Sequence, residues 1–191
     1  HHPFHIPEKY KNRFKEGKLP INKCISYSDN ALRLFFKKMS EYSWYKNTLF
    51  VITADHTNCS WHKEYVTDDN LYAVPILFYN PGSDLKGKEI RLAQQIDIMP
   101  SILGYLNYDK PYFAFGNDII SNKNNDNFVV NYNNQIYQIF KNDYFLQFDG
   151  KKTKAIYNFK TDTFLEKNLV GKVKEQEQME KLLKSIIQQY I

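Results

Sequence analysis

The stretch NTLFVITADHTN, residues 47–58, constrains this chain more than any other. From Thr48 to Ala54 it carries no charge and is rich in β-branched and apolar residues. A short apolar run of this kind predicts a strand covered on both faces, the pattern of a parallel sheet. It ends in Asp55-His56. In open α/β sheets, ligands gather outside the carboxyl ends of strands, so this pair stands where chemistry is expected. Neighbouring strand residues point to opposite faces. The two can therefore share an ion only if the chain leaves the strand there, which the polar loop TNCSWHKEYVTDDN permits. A carboxylate oxygen with an imidazole nitrogen suits Zn²⁺ or Mn²⁺. Such a pair also serves as a cap and a polar loop residue, and spacing alone leaves both readings open. His62 adds an imidazole six residues on, while Asp68 and Asp69 read as solvated loop charges.

The flanking segments predict an α/β order. SDNALRLFFKKMSEYSWYKN places Leu32, Phe35, Phe36 and Met39 at helical spacing, with Ser28 or Asp29 as N-cap. YAVPILFYN predicts a second strand interrupted at Pro75, and IRLAQQIDIMPSILGYL a short helix entered at Pro100. Beyond about residue 112 the character changes. Alternating residues with turn signals at Asn133-Asn134, Lys141-Asn142-Asp143 and Asp149-Gly150 predict an antiparallel meander. The last segment is an amphipathic helix whose stripe of Val173, Met179, Leu182, Leu183, Ile186 and Ile187 is expected to pack on that sheet.

Charge and cysteine usage narrow the class. The net charge of +5 is carried by lysines that read as scattered along the chain, which suits attraction to anionic substrates or membranes and points to no nucleic acid. Cys24 and Cys59 sit in neither a C-x-x-C nor a C-x-x-H pattern. No run approaches the roughly 20 apolar residues of a membrane helix. Aromatic residues reach 16%, which fits either aromatic cores or contacts to sugars and lipid headgroups. The opening HHPFHIP reads as the start of a piece of something longer, or of a mature segment; His1-His2 also reads as a tag remnant.

Five segments occur in a telling order: HHPFHIP, WYKNTLFVITADHTN, YAVPILFYNPG, QQIDIMPSILGYL and FGNDI. Together they resemble the C-terminal half of the alkaline phosphatase superfamily, nearest to the lipoteichoic-acid-synthase-like sulfatase family of phosphoglycerol transferases. The resemblance spans roughly residues 1–120. It implies an alkaline-phosphatase-like α/β sheet flanked by helices, present in part. A small antiparallel meander with a terminal helix would follow over 121–191.

The resemblance also implies roles. Asp55 and His56 would be ligands of a catalytic divalent metal, Mn or Zn, with Mg or Ca as further candidates. His1 would contact the phosphate or glycerol of the substrate, continued by Pro3 and Phe4 of the family's motif, and His62 would be a second substrate-side histidine. Gln95 and Asp97 fall in a structural stretch. Thr57 stands where many members have Gly. The family's nucleophile is expected upstream of this chain, so no catalytic nucleophile is assigned within it, and the fragment alone is expected to be inactive. The implied protein is a membrane-associated, extracytoplasmic transferase acting on a phospholipid or glycan headgroup, anchored through an N-terminal region outside this chain. A sulfatase or phosphodiesterase of the same fold, and a non-catalytic envelope-binding module, are the alternatives.

Overall fold

The computed structural model describes residues 3–57, 61–122 and 126–190. The chain divides into two compact units that interleave in sequence. The first comprises His1–Asn58 and Pro75–Gly87, the second Cys59–Val74 and Lys88–Ile191.

The first unit is built from α1 (Asn22–Met39), β1 (Phe50–Thr53) and β2 (Ile76–Tyr79). β1 pairs with β2 in antiparallel register, Phe50 opposite Tyr79 and Thr53 opposite Ile76. This corrects the parallel pairing expected from the uncharged run. Phe50 of β1 meets Phe36 of α1 (ring centroids 5.1 Å apart), Tyr45 (5.6 Å) and Tyr79 (6.1 Å). The hydroxyls of Tyr45 and Tyr79 lie 3.2 Å apart. β2 starts immediately after Pro75, where a residue without an N–H costs the ladder nothing.

The helix starts earlier than its expected cap. Ser28 and Asp29 lie inside α1 and face solvent; the N-cap position is Ile21, with no side-chain capping bond. The extra turns are held instead by Tyr27, whose ring packs on Tyr10 (5.4 Å) and Phe14 (5.8 Å), and by the Asn22 side chain, which accepts the Leu19 N–H at 2.9 Å.

The second unit contains α2 (Ile98–Tyr105), β3 (Phe128–Asn133), β4 (Ile136–Lys141), β5 (Tyr144–Phe148), β6 (Thr153–Asn158) and α3 (Glu175–Tyr190). The four strands form an antiparallel meander in chain order. Asn134 and Gln135 both take positive φ in the two-residue turn between β3 and β4, the geometry whose twist matches paired strands. α3 lays Met179, Leu183 and Ile186 on Ile139, Leu146, Phe148 and Ile156, and this is the main apolar core. The other sheet face stacks Phe140 on Phe145 at 4.4 Å.

Before α2, a 3-10 turn (Gln95–Asp97) is locked in place by reciprocal capping. The Gln94 N–H donates to Asp97 Oδ2 at 2.8 Å, and Asn117 N–H donates to Asp97 Oδ1 at 2.7 Å. The Ser101 hydroxyl donates to the Asp97 carbonyl at 2.6 Å and accepts the Ile119 N–H at 3.0 Å. Burial pushes the Asp97 carboxyl up, while its two N–H donors pull it down. The Gln94 side chain also bridges to the outer edge of β3, donating to Phe128 O and accepting Val130 N–H, both at 3.0 Å. Thus QQIDIMPS and FGNDI, apart in sequence, are two sides of one buried contact.

Arg91 ties this region together, donating to Asn122 O at 2.7 Å and Ile119 O at 2.9 Å. It is oriented by Glu89, whose carboxyl the Arg91 guanidinium holds down to about 2, well below its ordinary 4.5. A depressed folded-state value stabilises the fold above the unfolded value and loses that effect as pH falls toward the folded one. Glu89→Gln is therefore expected to lower the urea midpoint at pH 7. The gap to wild type should close between about pH 4.5 and 2. Titrating both proteins at pH 7 and pH 3 checks this. An equal gap at both values would contradict it.

Candidate metal centre

β1 ends at Thr53, and the chain bends at Asp55 and His56. Because the strand has already ended, the two side chains are released from alternation and turn toward each other. Asp55 Oδ2 lies 3.5 Å from His56 Nε2, and Asp55 Oδ1 accepts the His56 backbone N–H at 2.9 Å. His56 Nδ1 lies 2.6 Å from the carbonyl oxygen of Thr57. A carbonyl only accepts, so Nδ1 carries a proton and donates it, and in the neutral ring Nε2 then keeps the lone pair. That lone pair faces a carboxylate oxygen.

A neutral ring and a carboxylate so placed are two acceptors, which a cation between them or a proton on Nε2 would reconcile. Ligands held at about 2.0–2.2 Å in tetrahedral geometry stand about 3.4 Å apart, close to the spacing seen here. A backbone carbonyl on the far ring nitrogen is also the arrangement that orients metal-ligating histidines. The donor set thus fits a divalent cation. Both side chains are open to solvent, at 88% for Asp55 and 72% for His56.

His1 lies outside the described residues, as does Cys59. His62 belongs to the second unit, where its ring packs edge-on against Tyr65 at 6.4 Å and Nδ1 lies 3.8 Å from Glu64 Oε1. Asp68 is exposed and accepts from the Gln147 side chain at 2.6 Å; Asp69 is half-buried. Among the described residues, no group of three or more His, Cys, Asp or Glu side chains gathers around one point. The Thr57 carbonyl is the contributor that the sequence did not disclose, since every residue carries a carbonyl and none announces its use.

The Sulfatase family model matches residues 1–108, more than half of the chain. The chain belongs to the sulfatase family. Among curated relatives, an arylsulfatase of Clostridium perfringens is 25% identical over 199 residues, covering 94% of this chain and 41% of the relative. A lipoteichoic acid synthase-like protein of Bacillus subtilis is 30% identical over 142 residues, covering 63% of this chain and 23% of the relative. The chain therefore spans less than half the length of these relatives. Among solved structures, an alkaline phosphatase superfamily protein from Vibrio parahaemolyticus superimposes with a TM-score of 0.67 at 23% identity, over 84% of this chain and 40% of that one. The protein Ps i-CgsB gives 0.73 at 13% identity, over 97% of this chain and 47% of that one. The α/β architecture, with its antiparallel meander and terminal helix, is the alkaline-phosphatase-like fold in part.

Proposed function

We propose that this chain provides the metal-holding part of a phosphoryl or phosphoglycerol transferase that works on anionic glycolipid or polymer at the outer face of the cell membrane. The observation that supports it is the convergence of Asp55 and His56 beyond β1, with the imidazole proton committed to Thr57. Asp55 and His56 would hold a divalent ion, which would supply Lewis-acid chemistry toward a non-bridging oxygen and an attacking hydroxyl. The chain's own groups do the rest. Asp55 brings the negative charge that makes a cation welcome. The Thr57 carbonyl fixes the ring so that Nε2, and not Nδ1, is presented. His1 is assigned to hydrogen-bond the transferred phosphate, and His62 to the substrate side as well. The nucleophile is assigned to sequence outside residues 1–191. No described helix is long and apolar enough to cross a membrane, so membrane attachment is assigned outside them.

Hydrolysis of sulfate esters is the second reading, favoured by the arylsulfatase relative, whose match runs over nearly the whole chain. Two experiments test the proposal. Calorimetric titration with Mn²⁺ or Zn²⁺, of wild type and of Asp55 and His56 variants, tests the site. Incubation of the chain with a nitrophenyl sulfate and a bis-nitrophenyl phosphate tests the placement of the nucleophile. No turnover of either ester is expected. Turnover that Asp55→Ala abolishes would overturn the assignment of the nucleophile to sequence elsewhere, and the ester consumed would separate the two readings.

A further inference from the structure

The net charge of this chain lies in one of its two units. The first unit carries eleven Lys and Arg against six Asp and Glu, while the second carries fifteen of each. Within the first unit, residues 8–23 hold six of the cations and only two acids. The excess that reads as scattered along the sequence is thus gathered largely in one short stretch that runs into the first turn of α1.

Two of the six cations are engaged, Lys11 with Glu8 at 3.2 Å and Lys23 with Glu16. Lys9, Arg13, Lys15 and Lys18 are exposed and have no acidic partner among the described residues. Two of them are held in position. Lys9 Nζ sits 4.9 Å from the centroid of the Tyr10 ring, and the Arg13 guanidinium 5.6 Å from the same ring. Tyr10 is itself fixed to α1 through Tyr27. Ordering charges on an aromatic anchor costs side-chain entropy in advance, and that favours a ligand which meets several of them at once. Between residues 8 and 23 no large apolar side chain is exposed, so nothing here would enter a bilayer.

We propose that residues 9–18 form a docking surface for a soluble anionic polymer bearing repeated sulfate or phosphate esters. Lysines meet such groups as point charges and Arg13 meets them with its planar fork. The surface holds a long substrate near the chain without itself doing chemistry, and the inference does not depend on the metal centre.

Binding of wild type to fluorescent dextran sulfate and to long-chain polyphosphate, followed by anisotropy at 50 and 200 mM salt, tests it. Release of bound counterions should make affinity fall roughly tenfold or more across that range. A variant combining Lys9→Gln, Arg13→Gln, Lys15→Gln and Lys18→Gln should lose at least about tenfold at low salt. A control combining Lys151→Gln, Lys152→Gln, Lys172→Gln and Lys174→Gln removes the same charge from the second unit and should stay within about twofold. Circular dichroism confirms that both variants fold. Equal losses in the two variants would mean that only bulk charge matters and would overturn the proposal. So would a preference for anionic phospholipid vesicles over both polymers at matched charge.

Discussion

Asp55→Ala and His56→Ala are each expected to weaken Mn²⁺ or Zn²⁺ binding by more than roughly tenfold, since loss of even an outer hydrogen-bond partner costs a metal site 10–100-fold. The two donors lie 3.5 Å apart and the described residues gather no third, so removal of either leaves one side chain and water. Thr57→Gly is the informative control. The contact to His56 Nδ1 comes from the Thr57 carbonyl, which Gly retains, so affinity should change little. His62→Ala should also leave metal affinity nearly unchanged, because His62 is assigned to substrate. Protons compete for the same lone pair, so affinity should fall as the solution is made acidic. Equal affinity in wild type, Asp55→Ala and His56→Ala would place the ion elsewhere and sink the reading.

Gly116→Ala is expected to destabilise the second unit by about 3 kcal/mol or more, combining an overpacking cost with weakened buried hydrogen bonds. A Cβ at Gly116 would stand 2.1 Å from the Ile96 carbonyl oxygen and 2.7 Å from the Asp97 nitrogen. Both are backbone, so neither can swing aside. The segments must separate, and separation stretches the bond from Asn117 N–H to Asp97 and the one from Ile119 N–H to Ser101. Gly104 gives the comparison. A Cβ there would meet Asp118 Oδ2, the end of a side chain, although Asp118 Oδ1 already accepts the Ile120 and Ser121 N–H groups at 2.9 Å. Gly104→Ala should therefore cost less. Urea unfolding of both variants decides the matter, and a loss below about 1 kcal/mol for Gly116→Ala would show that the contact yields.

What could be read beforehand follows from where the information sits. The meander was legible because its turns need positive φ, and Asn134, Asn142 and Gly150 supply it. The packing stripe of α3 was legible because helical periodicity survives without knowledge of the partner, although Val173, expected in the helix, precedes its start at Glu175 and packs on the core from there. Strand direction was not. Uncharged residues report a tendency to be covered and not the direction of a neighbour, and here Phe36, Tyr45 and Tyr79 pack on Phe50 of β1. The start of α1 was missed because Ile21 carries no capping group and the stabilising contact, Tyr27 on Tyr10 and Phe14, joins residues more than ten apart. At the candidate metal centre, Asp55 and His56 stood out as chemical types, while the carbonyl that faces His56 Nδ1 left no trace in the sequence.

The first unit contains no fully buried side chain among its described residues: Leu32, Leu34, Phe35 and Leu77 are each more than 40% exposed. A helix on a two-strand ribbon with so little interior is marginally stable alone. Asp55 and His56 hang from that ribbon, so an ion bound by the pair would see them together only while the ribbon is assembled. Its apparent affinity would be the intrinsic one scaled by that occupied fraction. Any surface that covers the aromatic side of α1 would then tighten the hold without touching either side chain, and any that uncovers it would loosen the hold. Such a centre would act less as a fixed clamp than as a gauge of how completely its surroundings are built.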